Sequence, residues 1–399
     1  MRPSLVFCAL FACAAPPALA VQSCELNGAH VNPDNGNTTA GKSGLMRCRD
    51  GDGGALLREQ ELQDGVFMGV VRFFRDGQLE REYHVNARGN RDGVAREYAP
   101  AAPGAKPVVV REESYRDGRT VGIARSWYDN GRLRRIAFFG DDGREEASAE
   151  FNTQGQLAEL RCGKRPLLGP DADDAHWCGH AGAPSQVVLY SGKGVAKARL
   201  RYEGGEARGA ELLDERGAVR DLRETGAGAG SEKSFHADGT LRRELQWVAA
   251  TGGRAGRVTT LERDFHESGK LVRERRYRVA DDGRSGELAS EQTWYLNGQP
   301  KERTELALSD GVRVRRETAY HDNGRKAFEG TWRIAGERAS RSGAATGVHR
   351  TWDDEGHLRG ERFYDERGRV TRERELAADG SVLRDDEVFE DGSRKAVAK

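Results

Sequence analysis

The 399-residue sequence lacks net charge: lysine plus arginine and aspartate plus glutamate number 64 each. A neutral chain has no overall field to draw in nucleic acid, so no nucleic-acid partner is expected. Apolar residues make up only 37%. That share argues against a thick two-layer core and for something thin with much solvated surface. Beyond the leader no apolar run reaches roughly eighteen residues, so no transmembrane segment is expected. Proline is scarce, 11 against 51 glycines. Neither a G-x-S-x-G elbow nor an H-E-x-x-H helix occurs. Glutamates repeated at one register offer no privileged carboxylate pair. The chain therefore reads as non-enzymatic, with no catalytic residue, no cofactor and no metal.

The first twenty residues read as a signal peptide. Arg2 supplies the positive start, Leu5 to Ala12 the apolar run, and Ala18-Leu19-Ala20 a small-residue cleavage site after Ala20. Leu10-Phe11-Ala12-Cys13 loosely matches a lipid-attachment box, although Phe11 is bulky for one. The mature chain is expected to be periplasmic or secreted. Cys8 and Cys13 leave with the leader, and Cys24, Cys48, Cys162 and Cys178 remain. An even number in an exported chain reads as two disulfides. Sequence proximity favours Cys24–Cys48 and Cys162–Cys178. The rival is a metal site, because His176, Cys178 and His180 stand close together beside Asp171, Asp173 and Asp174. A solvated loop across a disulfide is the plainer reading of that segment.

Asp-Gly or Asn-Gly occurs seventeen times. These dipeptides suit tight hairpin turns, because glycine, asparagine and aspartate accept positive φ at low cost. An aromatic residue stands three or four places before many turn glycines, as in Phe74/Gly77, Tyr128/Gly131, Phe151/Gly155, Tyr295/Gly298 and Tyr364/Gly368. Leucine often follows the glycine by two residues and glutamate by five, as Leu79 and Glu82 follow Gly77. Between turns the chain alternates: Leu79, Arg81, Tyr83 and Val85 share one face, as do Leu241, Arg243, Leu245 and Trp247. Period two is the signature of a strand. Arginine on the apolar face can lay its stem on a neighbouring ring and send its head to a cross-strand glutamate. One hairpin cannot bury such a face, but stacked neighbours can. The expected fold is all-β, a long antiparallel meander of hairpin repeats.

Four segments read G-[VI]-x-R-x-aromatic: Gly69 to Phe74, Gly93 to Tyr98, Gly122 to Trp127 and Gly347 to Trp352. With the x-G-x-L that follows, as in "GIARSWYDNGRL", they resemble the bacterial variant of MORN (membrane occupation and recognition nexus) repeats, over roughly residues 60–160 and 234–392. "YDERGRV" also resembles the YD repeats of large secreted shell-forming proteins, the second-ranked resemblance. The expected organisation is a signal peptide at 1–20, an N-terminal cap at 21–60 closed by Cys24–Cys48, and a repeat block at 61–160. A disulfide loop at 161–185, a second block at 186–392 and a frayed tail at 393–399 follow. "GAGAGSE", 226–232, reads as a flexible joint.

Trp127, Tyr128, Trp294, Tyr295 and Trp352 stand at or near repeat apices and are the candidate partner-binding residues. The alternative for them is a cross-strand ladder within the sheet. Aromatics with arginines are the composition of protein interfaces. The MORN-variant resemblance implies an antitoxin or immunity protein that neutralises an envelope-acting toxin. The alternatives are an envelope lipid- or glycan-binding module and a structural surface repeat protein. Contact with a membrane surface is left open, although basic clusters for anionic lipid are missing. "GNTTAGKS", Gly36 to Ser43, matches the phosphate-cradling P-loop pattern, but no apolar strand feeds it and no helix is expected to leave it. It reads instead as the loop of the cap. "NPDNGN" and "DGDGG" lack the acidic twelfth position of a calcium loop.

Overall fold

The computed structural model describes residues 22–102, 105–251, 256–309, 311–334 and 343–397. The segment read as a signal peptide, its expected cleavage site and Cys8 and Cys13 lie outside the described residues. The chain divides into two compact units, residues 1–175 with 192–194, and residues 176–191 with 195–399. Each is built on one open antiparallel sheet, the first 13-stranded and the second 17-stranded. In the second, sequential strands pair throughout from Ser185–Tyr190 to Arg394–Ala396. The only α-helix among the described residues is one turn, Asp174–Trp177. No helix is long and apolar enough to cross a membrane.

One turn recurs along both sheets. In "YDNGR" the Tyr128 N–H donates to the Arg132 carbonyl and the Gly131 N–H donates to the Tyr128 carbonyl, 2.9 and 2.8 Å. Only Gly131 is left-handed, with φ of 78°. Asn130 instead accepts the Arg132 N–H on its side chain at 3.0 Å. This is a three-residue hairpin closed by a glycine bulge. The two-residue turn with both central residues left-handed occurs at Asn27-Gly28, Asp64-Gly65, Asp76-Gly77 and Asp117-Gly118. The same dipeptide thus closes two different turns, and the residue before it decides nothing by itself.

The strand faces carry charge in register. In the first unit Arg47 pairs with Glu59 at 3.1 Å, Glu59 with Arg72 at 3.3 Å, and Arg72 with Glu82 at 3.3 Å. Glu82 then meets Arg96 at 3.7 Å, Arg96 meets Glu112 at 2.9 Å, and Glu112 meets Arg125 at 3.6 Å. Arg72, Arg96 and Arg125 are the arginines of the G-[VI]-x-R segments. In the second unit Arg263 bridges Glu244 and Glu274, while Arg350 bridges Glu329 and Glu361. Arg374 extends that row from Glu361 to Asp385. Half-exposed pairs are worth about 0.2–1 kcal/mol each, so the row matters as a network rather than pair by pair. The expected stacking of arginine on rings is present, as in Arg81 over Phe73 at 4.2 Å and Arg91 over Tyr83 at 4.5 Å.

These rows make stability depend on pH with a definite sign. Burial pushes the Glu82 carboxyl up, but hydrogen bonds from Tyr98 and Arg72 outweigh it and hold its pKa below the ordinary value. Glu274 is held low in the same way by Arg263 and Arg276, and Asp385 by Arg372 first and Arg374 next. A carboxylate depressed in the fold contributes stability above its unfolded pKa, roughly 4, and loses it as pH falls through the folded value. The thermal midpoint is therefore expected to stay level from neutral pH to about 5 and to fall steeply below about 4. Circular-dichroism melts across that range check this, and a midpoint unchanged at about pH 3 would contradict it.

Two loops give the first unit its buried core. At its N-terminal end Cys24, Leu26, Val31, Met46, Cys48 and Leu62 form one cluster with Phe67 packed against it. The P-loop-like stretch folds over this cluster. Gly36–Thr38 is a 3-10 turn capped by Asn35, Thr39 is 1% exposed, and the Lys42 carbonyl accepts the Gly65 N–H at 2.8 Å. The strand Gly44–Asp50 follows where a nucleotide site would need a helix. Cys24 and Cys48 lie directly opposite each other in register and form the expected disulfide. The cap is continuous with the sheet, since the Leu56–Gln63 strand pairs with both Gly44–Asp50 and Val66–Arg75.

Three local readings need correction. Part of the 161–185 segment is a lid rather than a solvated loop: Leu168 is fully buried and Asp174 is 2% exposed. Arg125, at the end of the charged row, donates to Asp171 of the same lid at 2.6 Å. "GAGAGSE" is no joint, because Ala229–Phe235 is a paired strand. A Cβ on Gly230 would lie 2.6 Å from the Trp247 ring, so the glycine admits a close-packed neighbour. The tail is paired as well, through Arg394–Ala396 against Val382–Val388.

Candidate functional site

A row of side chains crosses the other face of the first sheet through directly opposed residues. It runs Arg81, Glu97, Arg111, Ser126, Arg135 and Glu150. Ser126 is the one short side chain among long charged ones. Beside it Ala124 is 7% exposed. These two small residues floor a trough of about 470 Å³, walled by Arg111, Glu113, Arg135 and Glu150 with Trp127 at its rim. The register shifts between Ser126 and Trp127, so Leu133 opposes Trp127 and Arg134 is the extra residue. A bulge re-aims side chains locally, and Arg134 joins the lining next to Arg135.

The walls are held by ion pairs. Arg111 donates to Glu113 at 2.7 Å, and Arg135 to Glu150 at 2.9 Å and also to Glu145. Burial is the largest single influence on the Arg135 pKa and lowers it, but the hydrogen bonds and charges of Glu145 and Glu150 together outweigh it and raise it. Arg134 is exposed and sits 5.9 Å from the Tyr128 ring, with no carboxylate partner among the described residues. The lining sets Glu97, Glu113, Asp129 and Glu150 beside Arg111, Arg125, Arg134 and Arg135, with the half-buried Trp127 indole among them.

The five candidate aromatics are all half-buried and have different roles. Tyr128 and Tyr295 are structural: their hydroxyls donate to the Phe151 and Tyr320 carbonyls at 2.7 and 2.9 Å. Each ties its own turn to the next turn on that edge of the sheet. His236 and His321 occupy the same place and reach the Phe265 and Trp352 carbonyls at 3.2 and 3.0 Å. Trp352 lies 5.6 Å from the Lys326 ammonium. Trp294 opposes Pro300 beside another bulge. Of the five, Trp127 alone lines the trough. Cys162 and Cys178 are disulfide-bonded like Cys24 and Cys48, which fits an exported chain.

Ser126, Arg111, Arg134 and Arg135 were not singled out by the sequence pattern. A serine in a charged row becomes a signal only once the registers of neighbouring strands are known. One donor group was also overlooked. Asp353, Glu355 and His357 bring ligand atoms within 4.8 Å of one another on an exposed turn. The His357 backbone N–H donates to the Asp353 carboxylate at 2.8 Å, the bond that shapes the turn.

The fold defines an antiparallel β-hairpin repeat protein. No family model and no curated protein matches the chain. Among solved structures, the TcdB2–TccC3–TEV crystal structure is similar over 94% of this chain and 19% of its own, at 10% identity and a TM-score of 0.18. A Tc holotoxin pore of Photorhabdus luminescens is similar over 88% of this chain and 23% of its own, at 10% identity and 0.15. A porin-like protein of Bacteroides uniformis is similar over 68% of this chain and 92% of its own, at 10% identity and 0.12. The chain thus spans less than a quarter of the first two structures. Likeness at these scores assigns no function.

Proposed function

We propose that this chain is an exported, non-catalytic binding protein that holds a partner protein on the sheet face around Trp127. The observation that supports this is the solvent-open trough of about 470 Å³ with an indole at its rim and arginines in its walls. Tryptophan and arginine dominate binding energy at protein interfaces, where a ring enters a dry pocket and a guanidinium offers several donors at once. The charged rows suit this role, because they stiffen a single-layer sheet without a thick core. The resemblance to MORN-variant repeats supports a partner class, an envelope-acting toxin that the chain neutralises as an immunity protein.

The test uses the full mature chain and the toxin encoded beside its gene. The two are expected to co-purify in stoichiometric amounts. Trp127→Ala is expected to weaken binding by at least about tenfold, as hot-spot aromatics do, with the thermal midpoint changed little. Trp352→Ala is expected to leave affinity unchanged. Calorimetric titration reads both. Equal affinity for Trp127→Ala and the unaltered chain would place the interface elsewhere, and absence of any complex would remove the immunity reading.

A further inference from the structure

The turn from Asp353 to His357 uses its side chains differently from its equivalents. Its backbone closes in the usual way, the Asp353 N–H donating to the His357 carbonyl and the Gly356 N–H to the Asp353 carbonyl, both at 3.1 Å. In equivalent turns the third residue accepts the fifth N–H on its side chain, as Asn130 does for Arg132, Asn297 for Gln299 and Asn323 for Arg325. Here the first residue, Asp353, accepts the His357 N–H on one carboxylate oxygen at 2.8 Å. Its second oxygen and the whole Glu355 carboxylate have no part in closing the turn. Two other turns also close on a first-place aspartate, and in both an arginine takes the second oxygen: Arg220 at Asp214 and Arg369 at Asp365. At Asp353 and Glu355 the only ion-pair partner among the described residues is His357. Arg325 reaches this turn but donates to the Asp354 and Glu355 carbonyls, at 3.2 and 2.6 Å, and Arg359 acts on Asp353 only at longer range.

We infer that Asp353 Oδ2, Glu355 Oε2 and His357 Nδ1 form a binding site for a zinc ion on this turn. Nδ1 lies 3.3 Å from Oδ2 and 3.6 Å from Oε2. A charge-assisted hydrogen bond is shorter, about 2.7–2.9 Å, so the imidazole stands between the two carboxylates and is bonded closely to neither. Two donors on one tetrahedral zinc ion, each about 2.0–2.1 Å from it, stand about 3.4 Å apart. All three donor atoms lie within 4.8 Å of one another. One imidazole with two carboxylates suits zinc, whereas calcium and magnesium take oxygen ligands alone. The backbone that carries the donors is already tied to the preceding turn: Asn323 donates to the Asp354 carbonyl at 2.6 Å, and His321 Nε2 lies 3.0 Å from the Trp352 carbonyl. Binding an ion therefore orders side chains and not the loop, which keeps its cost low. The bond from the His357 N–H orients the Asp353 carboxylate, the kind of outer contact that fixes a metal ligand. Glu355 and His357 are exposed, so the fourth position of the ion faces solvent. The site lies in the second unit and stands independently of the partner-binding reading.

Calorimetric titration of the full chain with zinc chloride tests this, at about pH 7.5 where an ordinary imidazole is neutral. The unaltered chain is expected to bind zinc at this turn. Glu355→Gln and His357→Ala are each expected to lower the affinity at least about tenfold, since losing a ligand costs no less than losing its outer contact. Both variants are expected to keep the zinc-free thermal midpoint, because neither side chain closes the turn and the His357 backbone N–H survives the change. His30→Ala, an exposed histidine on the short strand Ala29–Val31, is expected to bind zinc as the unaltered chain does. Calcium chloride in about tenfold excess is expected not to displace the zinc. Affinity unchanged in both variants would put the ion elsewhere and overturn the inference. Loss in His357→Ala alone would remove the carboxylate from the donor set and overturn the three-donor site. Displacement by calcium, or no binding at about 0.1 mM zinc, would do the same.

Discussion

Asp174→Ala is expected to destabilise the first unit by about 3 kcal/mol, measured by urea unfolding. The Asp174 carboxylate is 2% exposed and accepts the Leu167 and Leu168 N–H groups at 2.7 and 3.1 Å. Bonds to an ionised acceptor contribute about 1.5–3 kcal/mol each, and removing the acceptor leaves two donors with nothing in place. Leu168 sits in the same lid and is fully buried. Freeing the loop therefore exposes Leu168 and opens the cavity that the lid residues Leu167, Gly169 and Ala172 line together with Phe138 of the sheet. Asp174→Asn keeps one acceptor oxygen and the side-chain volume, so its expected loss is smaller, about 1–2 kcal/mol. The order of the two variants matters more than either value. Equal losses would mean that charge, and not acceptor geometry, holds the lid, while losses under about 0.5 kcal/mol for both would mean the lid is held elsewhere.

Much of the fold was legible because the repeat writes the same physics many times. Gly131, Gly155, Gly239 and their equivalents mark turns that need one left-handed residue. The alternation through Leu79, Arg81 and Tyr83 fixes strand direction and face. What stayed hidden depends on register. Glu82 was visible as a recurrent glutamate, but its place between Arg72 and Arg96 follows only from three paired strands. The trough is harder still, since it needs the row from Glu97 to Glu150 and a bulge at Arg134 to be known together. The lid failed for another reason. "KRPLLGPDADD" buries one leucine, one alanine and one aspartate among polar and turn-forming residues, too few to alter local hydropathy. The aromatics were legible as a set but not by role, because a Tyr128 hydroxyl bonded to a carbonyl and a free Trp127 indole look alike in composition.

The other closure of the first unit carries the second large effect. Cys24→Ala with Cys48→Ala is expected to cost about 3 kcal/mol, the entropy released when a loop 24 residues long is no longer closed in the unfolded chain. Both cysteines are almost fully buried beside Met46 and Leu62, so alanine is the fair replacement; serine would add unpaired hydroxyls. The backbone pairing of Cys24 with Cys48 survives the change, because the strands Gln22–Leu26 and Gly44–Asp50 stay hydrogen-bonded in register. The segment between them is held by less. Thr38 bonds the Asn32 backbone at 2.8 Å, and the Lys42 carbonyl accepts from Gly65 at 2.8 Å. A protease needs several residues unfolded around its target bond, so opening of this loop governs cleavage after Lys42. Trypsin is expected to cut there slowly in the oxidised chain and at least about tenfold faster in the double variant. Lys42 itself is exposed, so its own replacement by alanine is expected to change stability by less than about 0.5 kcal/mol. Unchanged cleavage in the double variant would show that the apolar cluster around Met46 holds the loop without help, and that the disulfide acts only on the unfolded chain.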